Sequence, residues 1–183
     1  MSSEPTEPAL PMCSVCLSDP PVNGISLKCR HVFCYLCIKG AAETTGYCPL
    51  CRADIGKDFN SREHQVLGKI KLPSSKNGNY WFYAGFRGWW LYDADTNSEL
   101  EKAYEEKHNT LDVFIAGRLY VVDFVHMAQR RKSGEPGRVR RVRRGTLDLD
   151  DILGIAGLKG SEVQQAIQMM RRSDSKSAEK CFQ

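Results

Sequence analysis

No stretch of this 183-residue chain approaches the roughly eighteen consecutive apolar residues a helix needs to cross a bilayer. The N-terminus has no apolar run of the secretory kind, so an oxidising compartment is not indicated. No internal repeat is visible. Histidine is scarce, and His64, His108 and His126 lack metal-like spacing. Cysteine is absent from nearly all of the chain: of eight, only Cys181 lies outside residues 13–51. No free thiol is therefore placed to carry a covalent intermediate. Acidic residues are missing where basic ones crowd. Arg130, Arg131, Lys132, Arg138, Arg140, Arg141, Arg143 and Arg144 are opposed locally only by Glu135. That segregation points to an anionic partner more clearly than the formal net charge of +4 does.

What is present is concentrated between Cys13 and Cys51. Seven cysteines and one histidine fall into four pairs: Cys13/Cys16, Cys29/His31, Cys34/Cys37 and Cys48/Cys51. Two-residue gaps let both thiolates of a pair reach one metal about 2.3 Å away. Eight ligands make two closed tetrahedral sites, so two Zn2+ ions are expected, structural rather than catalytic. A disulfide framework fails because seven is odd and no secretory signal is seen. Some forty residues bury too little core to fold alone. Each zinc would supply roughly 10–16 kcal/mol of apparent folding free energy. Seven bound thiolates and two Zn2+ lower the formal charge to about +1.

Along the chain, residues 1–11 form a polar, Pro-rich, disordered lead, and 12–55 the zinc module. Residues 56–79 form a linker expected to be partly helical, with Phe59, Val66 and Ile70 at modest helical spacing. The run Pro73–Asn79 closes it. A second domain spans 80–158. It opens with a hairpin whose strands are Trp81-Phe82-Tyr83 and Trp89-Trp90-Leu91-Tyr92. Ser98-Glu99-Leu100-Glu101 reads as a capping box opening a helix to about Lys107. Strands follow over Leu111–Ile115 and Arg118–Phe124, the latter running on toward Gln129, and over Arg138–Arg144. Antiparallel strands with one helix predict an α+β domain. In the tail, 159–183, a helix is expected over 161–172, followed by disorder.

The ligand order, with histidine fourth and loops of twelve and ten residues, resembles a RING finger. A PHD finger would place its histidine fifth. The resemblance implies a cross-brace: Cys13, Cys16, Cys34 and Cys37 on one zinc, Cys29, His31, Cys48 and Cys51 on the other. It further implies an E3 ubiquitin ligase without a covalent ubiquitin intermediate, acting by proximity and orientation on a ubiquitin-charged E2 enzyme. Val15, Pro49 and Arg52 match the family's E2-docking positions. Glu43 stands near the place where many relatives carry an aromatic, which implies weaker or altered E2 selection.

Trp81…Trp89-Trp90 followed by Glu99 resembles a WWE domain, a curved antiparallel sheet with one helix. RING followed by WWE resembles the ubiquitin ligases that read poly(ADP-ribose), over about residues 12–158. The segments His31–Cys37 and Ile115–Val121 strengthen the match. By this resemblance Tyr83, Trp90, Tyr120, Gln129 and Arg140 surround iso-ADP-ribose, the polymer's internal unit. Arg140 is expected on phosphate, Gln129 in hydrogen bonds, and the aromatics as walls. Trp81 and Trp89 are expected in the core. Phe86 and Leu153 stand where basic residues are expected. The implied partners are a charged E2, poly(ADP-ribosyl)ated proteins and the polymerase that modifies them, with no membrane. The expected location is the cytoplasm, with the nucleus admitted. A non-catalytic reader of the polymer or of peptides is the alternative, and RNA binding ranks last for want of a motif.

Overall fold

The computed structural model describes residues 9–75, 77–132 and 137–180, without the side chains of 175–180. Most of the Pro-rich lead, Gly134, Glu135 and Pro136, and Cys181 lie outside the described residues.

The N-terminal module is small. Strands β1 (Gly24–Ser26) and β2 (Val32–Cys34) pair antiparallel with Ile25 opposite Phe33, and helix α1 (Tyr35–Thr44) follows. Phe33 and Ile38 are fully buried, which leaves the zinc loops on the outside.

The second module is a seven-stranded sheet. Its strands are β3 (Tyr80–Ala84), β4 (Trp89–Leu91), β5 (Thr110–Ile115), β6 (Arg118–Asp123), β7 (Ala128–Arg131), β8 (Arg140–Gly145) and β9 (Ile152–Ile155). The order across the sheet is β5-β6-β7-β8-β3-β4-β9, antiparallel throughout except for the β4–β9 pair. Helix α2 (Ala94–Glu105) packs against β3 and β5. It begins four residues before the expected capping box. Asp93 is its cap, accepting from the Thr96 amide at 3.1 Å, and Asp95 complements the helix dipole in the first turn. From inside the helix, Asn97 accepts from the Trp81 amide at 2.9 Å and ties α2 to β3.

Other boundaries also differ from the sequence reading. Residues 56–79 hold no helix among those described. They run as turns and extended chain, with Phe59 and Val66 buried, and Asn23 accepts from the Lys71 amide at 2.7 Å. The apolar positions there serve packing, without a helical hydrogen-bond ladder. The strand from Arg118 stops at Asp123, whose carboxylate accepts from the amides of Val125 and His126 at 2.9 Å each. That turn sends β7 back beside β6 as a separate strand. Strand β9 was not expected; its pattern is too short for period alone to reveal. Helix α3 (Ser161–Lys180) continues past 172 through residues expected to be disordered. Tyr80 donates to Asp174 at 2.9 Å, and Gln164 donates to the carbonyls of Ile152 and Leu153 at 3.0 Å each.

Strand alternation sorts the side chains into two cores. Trp81, Tyr83 and Val142 face α2 with Tyr92, Leu100, Val113 and Val122. Tyr80, Phe82 and Leu91 face the other way, into a core that includes Val163 and Ile167 of α3, Phe59 and Val66 of the linker, and Phe33 and Ile38 of the zinc module. The two modules share that second core.

Candidate functional site

The four cysteine and cysteine–histidine pairs interleave. Cys13, Cys16, Cys34 and Cys37 bring their sulfurs within 4.8 Å of one another, as do the ligand atoms of Cys29, His31, Cys48 and Cys51. A tetrahedral site with Zn–S bonds of about 2.3 Å has ligand–ligand edges of about 3.8 Å. The Cys16–Cys34 sulfur separation is 3.5 Å, and Cys48 Sγ lies 3.6 Å from His31 Nδ1, so both clusters have zinc dimensions. Burial, and then the neighbouring Cys16 sulfur, push the Cys34 thiol up to about 12. A divalent cation reverses that preference, since a coordinating thiol is deprotonated outright. The Val22 amide donates to Cys34 Sγ at 3.1 Å and the Cys34 amide to Cys13 Sγ at 3.5 Å, orienting the ligands from behind. The two sites are two structural zinc sites.

Val15 stands exposed on the first zinc loop, and Pro49 and Arg52 on the last. Pro49 and Arg52 line a cleft with Ala41, Thr44 and Tyr47. Val15 lies outside that cleft. Glu43 turns instead toward the sheet, where it pairs with Arg118 at 3.3 Å and accepts from Asn60 at 3.4 Å.

On the sheet, registry decides which side chains meet. Tyr83 lies opposite Trp90 and Val142, Val122 opposite Gln129, Gln129 opposite Arg140, and Tyr120 opposite Arg131. Cross-strand partners share a face and residues two apart share it too. Tyr83, Trp90, Tyr120, Gln129 and Arg140 therefore all project from one face, the inner face that covers α2. The Arg140 guanidinium sits 5.2 Å from the Tyr83 ring centroid, a cation–π contact, and has no carboxylate partner among the described residues. Tyr83 is buried edge-on against Tyr92, with centroids 5.0 Å apart. Burial holds both hydroxyls well above the ordinary tyrosine range, so both remain donors. Tyr92 donates to Gln129 Oε1 at 2.7 Å. This fixes the amide so that its nitrogen, with no partner among the described residues, is left to donate. Trp90 is wedged between glycines: a Cβ on Gly85 would lie 2.6 Å from its Nε1, and one on Gly154 3.0 Å from Cζ3.

Three side chains at this face escaped the sequence reading. Tyr92 orients Gln129, and a period-2 count from Trp90 would have placed it on that face. Arg131, opposite Tyr120, has a buried Nε without a hydrogen-bond partner among the described residues. Lys39 comes from α1 of the zinc module. Its Nζ donates to the Ala156 carbonyl at 2.7 Å; burial, opposed by the Glu43 carboxylate and assisted by the Arg140 charge, lowers its pKa to about 8. No sequence signal could have paired residue 39 with residue 140. Phe86 and Leu153, where cations were expected, are an exposed turn residue and a neighbour of Gly88.

The comparisons agree with this geometry. Residues 10–57 match the C3HC4-type (RING) zinc finger family, and residues 79–144 match the WWE domain family. The chain is 40% identical over 177 residues to E3 ubiquitin-protein ligase RNF146-A of Bos taurus, a match covering 95% of this chain and 50% of that protein. To E3 ubiquitin-protein ligase RNF146 of Homo sapiens it is 39% identical over 178 residues, covering 95% and 49%. To its Xenopus tropicalis counterpart it is 38% identical over 173 residues, covering 93% and 54%. The chain thus spans about half the length of the curated relatives it matches. It is a two-zinc RING finger joined through a shared hydrophobic core to a WWE domain.

Proposed function

We propose that the chain is a RING-type E3 ubiquitin ligase whose WWE domain reads poly(ADP-ribose) and thereby selects modified substrates. One observation carries the reading. Two aromatic walls, a fixed amide donor and a guanidinium without a carboxylate partner among the described residues share the inner sheet face, and Lys39 of the RING helix, held on the Ala156 carbonyl, lies within electrostatic range of that guanidinium. This is the chemistry a polyanion with adenine rings requires: flat faces for the base, guanidinium for the pyrophosphate, and an amide for ribose or base edges. The ligase half is supported by the similarity to the E3 ubiquitin-protein ligases named above.

Coupling between the halves follows from linkage. A ligand shifts an equilibrium only by its differential affinity for two states. A ligand drawn to Arg140 and Lys39 together favours arrangements in which α1 stays against the sheet. The RING would then offer Val15, Pro49 and Arg52 to an E2 in one fixed orientation. The RING has no free thiol to accept ubiquitin, so transfer is by positioning alone.

Calorimetry with iso-ADP-ribose tests the binding half. Arg140→Ala should weaken binding by at least about tenfold, the scale of one charge-assisted bidentate contact. Equal affinity in wild type and variant would remove the pocket. The ligase half is tested by autoubiquitination with and without the ligand. The turning of Glu43 toward Arg118, away from the docking face, favours a second reading, a non-catalytic reader. Absence of ubiquitin transfer across a panel of E2 enzymes, with ligand binding intact, would select it.

A further inference from the structure

The outer face of the sheet carries a second cationic and aromatic surface. On β8 the odd positions turn away from the pocket, because Phe82 of the outer-face core lies opposite Arg143. Arg141 and Arg143 are both exposed. Arg130 of β7 is exposed on the same face, two residues from Ala128, which lies opposite Arg141. None of the three has an acidic partner among the described residues. The Arg141 guanidinium lies 5.6 Å from the Trp89 ring centroid. Residue size explains the reach: Trp89 pairs with Ala84, and continuing the β3–β8 register by one residue sets Ala84 opposite Arg141. The small alanine between them lets the long side chain lie across β3 onto the indole.

This surface adjoins the pocket around one end of the sheet. Tyr83 and Ala84, Trp90 and Trp89, and Arg140 and Arg141 are three pairs of chain neighbours. Each pair sends one side chain to the pocket and contributes the other to the outer row, with Cα atoms about 3.8 Å apart. The turn between β3 and β4 closes that end, with Phe86 86% exposed and Arg87 exposed beside it. On the far side of Trp89, Asp150 and Asp151 precede β9 and bound the cationic strip.

We propose that this outer row is a second subsite for the same polymer, taking the adjacent ADP-ribose unit as the chain passes over the β3–β4 turn. It rests on the pocket reading above. The pyrophosphate of that unit meets Arg141 and Arg143, and its adenine meets the Trp89–Arg141 stack. A linear polyanion suits the arrangement because a sheet and its side-chain layer are only about 10 Å thick, within the reach of one repeat.

The test measures affinity of the full zinc-loaded chain for iso-ADP-ribose and for size-fractionated poly(ADP-ribose) oligomers. Arg141→Ala combined with Arg143→Ala should leave iso-ADP-ribose affinity unchanged. It should weaken oligomer binding about tenfold and reduce the salt slope by roughly 1–1.5, as expected for two lost phosphate contacts. Arg141→Lys keeps the charge without the planar stack and should fall between. An unchanged thermal transition confirms that each variant is folded. Equal loss for monomer and oligomer, or no loss for either, overturns the second subsite. Single-stranded RNA of matched charge competing as well as the oligomer overturns its assignment to this polymer. A wild-type chain that binds oligomer through Arg141 and Arg143 but does not bind iso-ADP-ribose overturns the pocket reading on which it rests.

Discussion

Tyr92 and Gln129 show how much a single hydroxyl decides. Gln129 is buried, and a buried amide free to flip presents either a donor or an acceptor to whatever enters. The Tyr92 hydroxyl, kept protonated by burial, donates to Oε1 and so leaves nitrogen outward. Tyr92→Phe removes that donor and leaves a buried acceptor without its partner. The variant should lose about 1–3 kcal/mol of stability, the cost of an unsatisfied buried polar group. It should also bind iso-ADP-ribose several-fold more weakly. Urea unfolding and calorimetry on one preparation check both. Undiminished affinity in a destabilised variant would show that Gln129 is oriented by other means. Arg140 behaves differently: it is exposed and, among the described residues, held by a ring face without a carboxylate, so its loss should cost binding with little change in stability.

Helix α1 does three things at once. Its first turns carry zinc ligand Cys37 and buried Ile38, its middle sends Lys39 to the Ala156 carbonyl, and its last turn sends Glu43 to Arg118. Gly40 makes the close approach feasible. A Cβ there would lie 2.8 Å from both the carbonyl carbon and oxygen of Ala116. Ala116 and Gly117 form the β5–β6 hairpin turn, both with positive φ, so that turn has little freedom to retreat. Gly40→Ala should therefore displace α1 from the sheet, even though alanine is the better helix former by roughly 1 kcal/mol. The expected outcome is a lower thermal transition, together with loss of any ligand-dependent gain in E2 binding while basal E2 binding persists. A higher transition temperature with coupling retained would show that the hairpin yields. The Glu43–Arg118 pair is a partly exposed ion pair and contributes at most about 1 kcal/mol. The glycine contact outweighs it.

At the scale of the whole molecule, the two modules are not beads on a string. One core runs from Phe33 and Ile38 of the RING through Phe59 and Val66 to Phe82, Leu91 and Ile167. Each large apolar side chain buried there contributes about 1.5–3 kcal/mol. Removing zinc takes away roughly 10–16 kcal/mol of apparent folding free energy per site, and the RING cannot replace it. Chelation should therefore unfold the RING and also lower the transition of the sheet, whose outer face loses its cover. Calorimetric scans with and without a chelator check this. A sheet transition that stays put after chelation would mean that α3 and the linker suffice. Among the described residues, no helix is long and apolar enough to cross a membrane.

The chain's own residues determined the zinc chemistry, because ligand type and spacing are local and a tetrahedron needs nothing else. They also determined which strand residues share a face, since alternation is a property of each strand alone. Tyr83, Trp90, Tyr120, Gln129 and Arg140, by contrast, were named together through the resemblance to the WWE family, and it is the register between strands that puts them on one face. The helix caps, the end of β6, strand β9 and the extent of α3 were misread or missed. Strand β9 and the extent of α3 are settled by partners distant in sequence, Trp90 for Gly154 and Tyr80 for Asp174, while the cap of α2 and the end of β6 turn on local contacts of the Asp93 and Asp123 carboxylates. Only the tertiary structure placed Lys39 near Arg140 and stacked Arg141 on Trp89. Charges more than a hundred residues apart meet when packing brings their backbones together, and packing is a property of the assembled cores.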